Sequence, residues 1–218
     1  MFRVKVALLS LLMPAAVGGI VFLAAGRVDL LGVWALLGVL AVFCLVTAAC
    51  AERDLIRERT APGPGERDRV TRPAATVLLL AHWILAGLDA RFDWSRIPPE
   101  VQIAGAIGYA VAMVFMFWTM RTNRFYSPAV RVQTERGHRV VDAGPYRFVR
   151  HPGYAATLVG VFAGGLALGS WIALLPLVAC AALFIRRILI EEDLLRRELP
   201  GYAEYAKRVR SRLIAGVF

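Results

Sequence analysis

The sequence predicts an all-α protein that lives in a lipid bilayer, and three observations carry that prediction. Hydrophobic residues make up 58% of the 218-residue chain, charged residues only 19%, and the mean hydropathy is +0.59. Soluble domains run nearer to a half and a quarter, so this chain is too apolar to be one. Several apolar runs reach about 20 residues, the length at which a helix crosses the hydrocarbon core. The basic residues fall between these runs. Disorder is excluded by the same composition. Cys44, Cys50 and Cys180 sit in apolar stretches without His or Cys at ligand spacing, which argues against a disulfide framework or a structural zinc.

Taken in order, the apolar segments are 6–26, 30–51, 73–88, 101–120, 155–169 and 171–185. The first, second and fourth have full spanning length. The third is shorter and holds His82, which reads as an interhelical hydrogen-bonding residue. The fifth and sixth adjoin, interrupted by Gly169-Ser170. A single helix through both would run roughly 46 Å, too long for the bilayer without strong tilt. A helical hairpin fits better, with Gly160, Gly164, Gly165 and Gly169 allowing close helix approach.

Charge tests that choice. Net charge is +10 and the pI about 10.4, which in a soluble protein would suggest nucleic acid. With six segments, 23 of the 26 Lys and Arg fall on one side, leaving Arg27, Arg91 and Arg96 on the other. One long final span would divide them almost evenly. The positive-inside rule therefore favours the hairpin, with both termini and both long loops cytoplasmic. No nucleic-acid role remains to be explained. The N-terminal run, with Arg3 and Lys5 before it, reads as a signal anchor because further spans follow. Residues 52–72, with Pro62-Gly63-Pro64-Gly65, read as a flexible charged loop, and their arginines as contacts to anionic lipid.

Chemistry-bearing residues concentrate after the fourth segment, so the chain divides into N-terminal membrane helices (1–121) and a membrane-hairpin region that carries the chemistry (122–218). Long loops in compact proteins tend to be functional. The 122–154 segment holds Gln133, His138, Tyr146, Arg147, Arg150, His151 and Tyr154. Within it, 131–141 alternates loosely about Gly137, compatible with a short β-hairpin or an extended loop. Pro152-Gly153 turns the chain into the membrane hairpin, proline being tolerated in a first helical turn. Beyond the hairpin, Arg187 and Glu191 are neighbours on one helical face. Alone, they read as a surface ion pair with snorkelling arginines. Alone, His151 also reads as a hairpin cap, Tyr146 and Tyr154 as aromatic-belt anchors, and Tyr202 and Tyr205 as packing of the tail. Arg150 could contact lipid headgroups or orient its loop.

The ordered set Gln133, His138-Arg139-Val140-Val141, Gly144-Pro145-Tyr146, Arg150-His151-Pro152-Gly153-Tyr154, Glu191-Glu192, Tyr202-Ala203-Glu204-Tyr205 and Arg208-Val209 resembles the isoprenylcysteine carboxyl methyltransferase family. These are membrane-embedded enzymes that use S-adenosylmethionine. The resemblance runs from Gln133 to the C-terminus. It implies cofactor contacts at Gln133, His138, Arg139, Val140, Val141, Tyr146, His151, Pro152, Gly153 and Tyr154. Glu191 is similar to the acidic residue that meets the amino-acid end of the cofactor, and Arg187 to the arginine that contacts substrate. No metal is implied.

That chemistry suits the residues present. Methyl transfer from a sulfonium needs alignment and exclusion of water. A carboxylate acceptor is already ionised and needs no general base. An arginine can hold such an acceptor through a bidentate contact. The expectation is a multi-pass methyltransferase, prokaryotic by its arginine-rich and compact make-up, with its site at the cytoplasmic face and a prenylated or other lipophilic acid as acceptor, entering from the bilayer. Lipid-amine N-methylation, with Glu192 or a water path taking the proton, stays open. So do an NADPH-dependent sterol-type reductase and a non-catalytic membrane protein. The oligomeric state is not encoded legibly.

Overall fold

The structure, a computed structural model, describes residues 2–216 and is all-helical, with no strand among them. The first span is α1 (Phe2–Ser10) and α2 (Leu12–Ala25). The break between them follows from Pro14, which has no N–H to donate to the carbonyl of Ser10. α3 (Leu31–Cys50) returns the chain, and α4 (Arg53–Thr60) lies beyond it. Then come α5 (Thr71–Phe92), α6 (Pro99–Thr122), α7 (Pro152–Ala167), α8 (Leu175–Glu198) and the short α9 (Tyr202–Arg208). Five helical stretches are long and apolar enough to cross a membrane; α7 is a shorter apolar helix. Large apolar side chains such as Leu23, Val42, Val77, Ile107, Val114 and Val178 face outward, as lipid-facing positions should.

The third apolar segment is longer than 73–88, since α5 has 22 residues. His82, buried at its middle, lies with Nδ1 2.6 Å from the carbonyl oxygen of Ala173, a hydrogen bond that ties α5 to the start of the last span. The adjoining fifth and sixth segments form the hairpin. Gly169 supplies the left-handed backbone of the reversal (φ +83). The turn docks on the loop between α5 and α6: Ile97 N–H donates to Gly169 O, and the Trp171 indole donates to Arg96 O. Arg27, Arg91 and Arg96 thus share one end of the bundle with the hairpin turn.

Two packing layers hold the helices. The larger core joins Val17, Val21, Val33, Leu36, Leu40 and Tyr109 with Leu168 and Ala173. α6 and α7 meet most closely: a Cβ on Gly105 would lie 2.7 Å from Ala163 O and from Ala167 N. Small residues therefore set this interface, as expected where helices associate by packing alone. At 16 residues α7 is about 24 Å long at ~1.5 Å per residue, shorter than an ~30 Å core. Its first residues, Pro152 and Gly153, are buried, with Gly153 against the Tyr126 ring.

Residues 52–72 are not a flexible loop. α4 is amphipathic and buries Leu55 and Ile56 against Met116, Met120 and Ala156, while Arg53, Arg57 and Arg59 stay exposed. Burial of two such side chains from water is worth roughly 1.5–3 kcal/mol each. The rest of the segment is clamped to 127–131. Arg67 N–H donates to Val130 O, and Glu66 Oε1 accepts from Val130 N–H. The 131–141 stretch resolves the other way from a β-hairpin, into a 3-10 turn at Thr134–Arg136 that closes on Gly137.

Candidate active site

Three chain segments far apart in sequence meet at the end of the bundle opposite the hairpin turn. They are the α4–α5 connection, residues 123–154, and α8 with the tail behind it. Between them lies a cavity of about 360 Å³, inside the roughly 300–1,000 Å³ of small-molecule sites. Of the twelve residues singled out from sequence, eleven line it: Gln133, His138, Arg139, Val140, Val141, Tyr146, His151, Gly153, Tyr154, Arg187 and Glu191. Pro152 is buried as the first residue of α7 and helps set the helix start.

Each wall has a local cause. Gln133 is spent on its own loop, donating from Nε2 to Phe125 O at 2.6 Å and accepting from Arg136 Nη1 at Oε1. This folds 123–138 into a compact unit, with the Phe125 and His138 rings 4.6 Å apart between centroids. Backbone Gln133 N–H donates to His138 Nδ1, so the neutral ring carries its proton on Nε2. Burial, then the charges of Arg131 and Arg136, push the His138 pKa down to about 4. Val140 packs with Val132 against Leu195, Leu199, Tyr202 and Tyr205 of α8 and α9. Tyr205 completes this floor by donating its hydroxyl to Tyr146 O at 2.8 Å. Tyr202 and Tyr205 therefore do pack the tail, and they also line the cavity. Gly153 is needed for closeness, since a Cβ there would sit 2.5 Å from the Tyr126 ring.

Glu191 and Glu192 point to different tasks. Glu192 is buried and accepts from Arg150 Nε and from Arg212 Nε at 2.9 Å. Arg150 Nη1 also donates to Val209 O and Arg210 O, and Arg150 and His151 N–H donate to Ser211 and Arg212 carbonyls. Arg150 is thus neither lipid-facing nor free; it straps the tail beneath the site. Glu191 faces the cavity, its carboxylate accepting from the Tyr154 hydroxyl at 2.7 Å. Tyr146 and Tyr154 are cavity walls rather than belt anchors, with Tyr146 Oη accepting from Asn123 Nδ2. Two buried polar atoms here, His151 Nε2 and Tyr202 Oη, have no well-formed hydrogen bond, although His151 Nε2 is 3.4 Å from Glu192 Oε1.

Arg187 overturns the surface-pair expectation. It is buried, and its partners come from three other segments rather than from Glu191. Nε donates to Tyr154 Oη at 2.9 Å, Nη1 to Asp68 Oδ2 at 3.2 Å and Asp68 O at 3.4 Å, and Nη2 to Pro128 O at 2.5 Å. A guanidinium has five N–H donors, so one is left, too few for a bidentate contact in this arrangement. Arg186, half exposed, shares the same Asp68 carboxylate. Asp68 itself has no exposed side-chain surface. Burial would raise its pKa, but hydrogen bonds from Thr71 and Arg186 and the Arg187 charge lower it to about 2.

A second buried pair frames the opposite wall. Arg131 donates to both oxygens of Glu58, at 3.1 and 2.9 Å, and also to Glu135. Glu58 further accepts from the Ser127 hydroxyl. These bonds hold Arg131 above, and Glu58 below, its ordinary pKa. The exposed residues Arg59 and Arg72 stand at the cavity edge, and Ala75, Leu79 and Phe184 give it an apolar flank among the spanning helices.

The His151–Tyr154 turn at the start of α7 and the Glu191 carboxylate on α8 line the same cavity. Residues 105–197 match the isoprenylcysteine carboxyl methyltransferase (ICMT) family. The ICMT match runs from α6 to the last turns of α8 and leaves α1–α5 outside it. The nickel-cobalt-cadmium resistance protein NccN of Alcaligenes xylosoxydans xylosoxydans is 26% identical over 140 residues, 64% of this chain and 60% of that protein. The chain therefore spans less than two thirds of that relative. No group of three His, Cys, Asp or Glu able to hold a metal ion occurs among the described residues.

Glu58, Asp68, Asn123, Phe125 and Tyr126 were missed by reading the sequence. The α4–α5 connection carried one usable signal: an Asp three residues before the start of α5, whose Oδ1 accepts from the Val70 and Thr71 amides. Nothing in the sequence indicated that the other carboxylate oxygen would reach α8.

Proposed function

We propose that this protein is a membrane methyltransferase that moves a methyl group from S-adenosylmethionine to the carboxylate of a lipophilic acceptor. The observation that carries the reading is the convergence of Glu191, Arg187 and the 133–154 segment on one cavity with an apolar membrane flank. The fit of the cofactor rests on the donor set. Glu191 offers a carboxylate to an ammonium group, Tyr202 Oη is a buried hydroxyl without a well-formed hydrogen bond, and Phe125, Tyr126 and Tyr146 supply aromatic walls. Gln133, His138, Arg139, Val140, Val141, Tyr146, His151, Pro152, Gly153, Tyr154 and Glu191 would form that subsite, and Arg187 would orient the acceptor.

S-adenosylmethionine supplies an electrophilic methyl carbon, to which a carboxylate oxygen bonds as the carbon–sulfur bond breaks and its electron pair stays on sulfur. No proton moves, so the protein needs only to orient, neutralise and exclude water. His138, neutral with Nε2 protonated, is available as a hydrogen-bond donor and is a poor proton acceptor. Glu192 is committed to Arg150 and Arg212, so amine methylation would have to pass its proton to water instead. The cavity end carries most of the basic loops, so it faces the cytoplasm under the positive-inside rule.

Calorimetry with S-adenosylmethionine and S-adenosylhomocysteine tests the cofactor, and heat of binding at millimolar ligand is the expected result. Labelled S-adenosylmethionine supplied with N-acetyl-S-farnesylcysteine or a bacterial lipid extract tests the acceptor. A base-labile product supports the ester; a base-stable product sinks it.

A further inference from the structure

We propose that Asp68 sets how strongly Arg187 holds the acceptor, making the guanidinium an orienting donor with much of its charge offset rather than a free cation that clamps the anion. This rests on the carboxyl-methylation reading, and it concerns a residue outside the family match. The geometry is specific. Arg187 and Asp68 are both buried, with Nη1 3.2 Å from Oδ2. Tyr154 Oη and Pro128 O take further donors, so a single Nη2 N–H remains. Asp68 cannot swing away, because Oδ1 is held by the Val70 and Thr71 amides and by Arg186.

The chemistry explains why such a pairing helps. The reaction joins an anionic oxygen to a cationic sulfonium and yields two uncharged groups, so charge on the acceptor oxygen is largest in the ground state and fades toward the transition state. A bare arginine would bind the ground state more tightly than the transition state, and binding of that kind does not accelerate the chemical step. With Asp68 alongside, much of the buried Arg187 charge is offset, while the half-exposed Arg186 on the other oxygen is screened by water. The remaining N–H aligns the acceptor by one hydrogen bond while the oxygen keeps its nucleophilic charge. Asp68 is therefore a positioning residue that acts through Arg187.

The test is the KM-against-kcat split of the full-length protein in lipid nanodiscs, with N-acetyl-S-farnesylcysteine as acceptor. Asp68→Asn should lower both constants for the acceptor, kcat by about tenfold and KM by about threefold or more, which is the pattern of stronger ground-state binding. Affinity for S-adenosylhomocysteine, read by calorimetry, should stay within about twofold. Calorimetric binding of the same acceptor to the protein loaded with S-adenosylhomocysteine should tighten. Asp68→Ser, a shorter uncharged side chain that can still accept from the Thr71 amide, should move both constants the same way. It supplies the answer if Asp68→Asn does not fold. Arg186→Gln removes the half-exposed partner of Asp68, leaves Arg187 as its chief counter-ion, and should move both constants in the opposite direction to Asp68→Asn and by less. A rise in KM, or no change in either constant, on loss of the Asp68 charge overturns the proposal while leaving methyl transfer standing. A wild-type protein that transfers nothing to this acceptor overturns the carboxyl-methylation reading and this inference together.

Discussion

Replacing Glu191 and Glu192 by glutamine, one at a time, separates two tasks carried by adjacent carboxylates. Glu192 is buried against Arg150, whose side chain is 3% exposed, and against Arg212 at 31%. Removing one charge of a fully buried pair costs about 3–5 kcal/mol; the more exposed Arg212 adds at most about 1 kcal/mol. For a chain of this size, about 2–4 °C of melting temperature accompanies each kcal/mol, so Glu192→Gln should melt about 6–24 °C lower. Glu191→Gln keeps an oxygen for the Tyr154 hydroxyl and should cost no more than about 1 kcal/mol. Its loss should appear in ligand response instead. Ligand at a hundred times Kd stabilises by about 2.7 kcal/mol, and this shift should largely vanish in Glu191→Gln. Differential scanning fluorimetry of the detergent-solubilised protein, with and without S-adenosylhomocysteine, reads both effects. A Glu191→Gln protein that keeps the full ligand shift, or a Glu192→Gln protein that melts like wild type, would refute the division of labour.

Acid should loosen the α4–α5 connection. Asp68 has a folded pKa of about 2 against an ordinary 3.8, so its contribution is intact above about pH 4 and fades as pH falls toward about 2. Hydrogen exchange should show residues 61–70 losing protection in that window, and uniform loss across the bundle would contradict it. Gly105→Leu drives a side chain into the backbone of α7 and should destabilise by about 1–3 kcal/mol or more, whereas Gly38→Ala, with open space around it, should melt within about 1 °C of wild type or slightly above. Cys50 is exposed while Cys44 and Cys180 are buried. A membrane-impermeant maleimide should label it from the cytoplasmic side alone, and labelling of intact cells would reverse the orientation.

Much of the architecture was legible because apolar length and loop charge are one-dimensional signals. The hairpin is the clearest case: length alone allowed one tilted helix, and the distribution of arginines together with Gly169-Ser170 favoured two. His82 was legible as an interhelical polar residue because an isolated imidazole in an apolar run must find a partner. The α4–α5 connection was misread because Pro62-Gly63-Pro64-Gly65 dominated its appearance. The helix-forming run at 53–60, with Leu55 and Ile56 side by side, is a pattern that propensity could have caught. The ion pairs escaped for a different reason. Glu58 and Arg131 are 73 residues apart, and Asp68 and Arg187 are 119 apart. Such partners carry no periodicity; only folding brings them together. The bidentate role assigned to Arg187 failed on the same account, since its donors were already taken by distant groups.

The strap formed by Val209–Arg212 across Arg150 and His151 has a consequence for how the protein is made. Asp68 emerges from the ribosome well before Arg187 exists to neutralise it, and Arg150 precedes both Glu192 and the strap. During synthesis the nascent chain therefore carries several orphan charges at the bilayer surface. They are quenched almost together, when the last helix inserts and the stretch behind it folds back. Closure of the strap after the final hairpin inserts is thus the maturation step, and released chains truncated before Val209 should engage quality-control proteases longer than released chains that extend past Arg212.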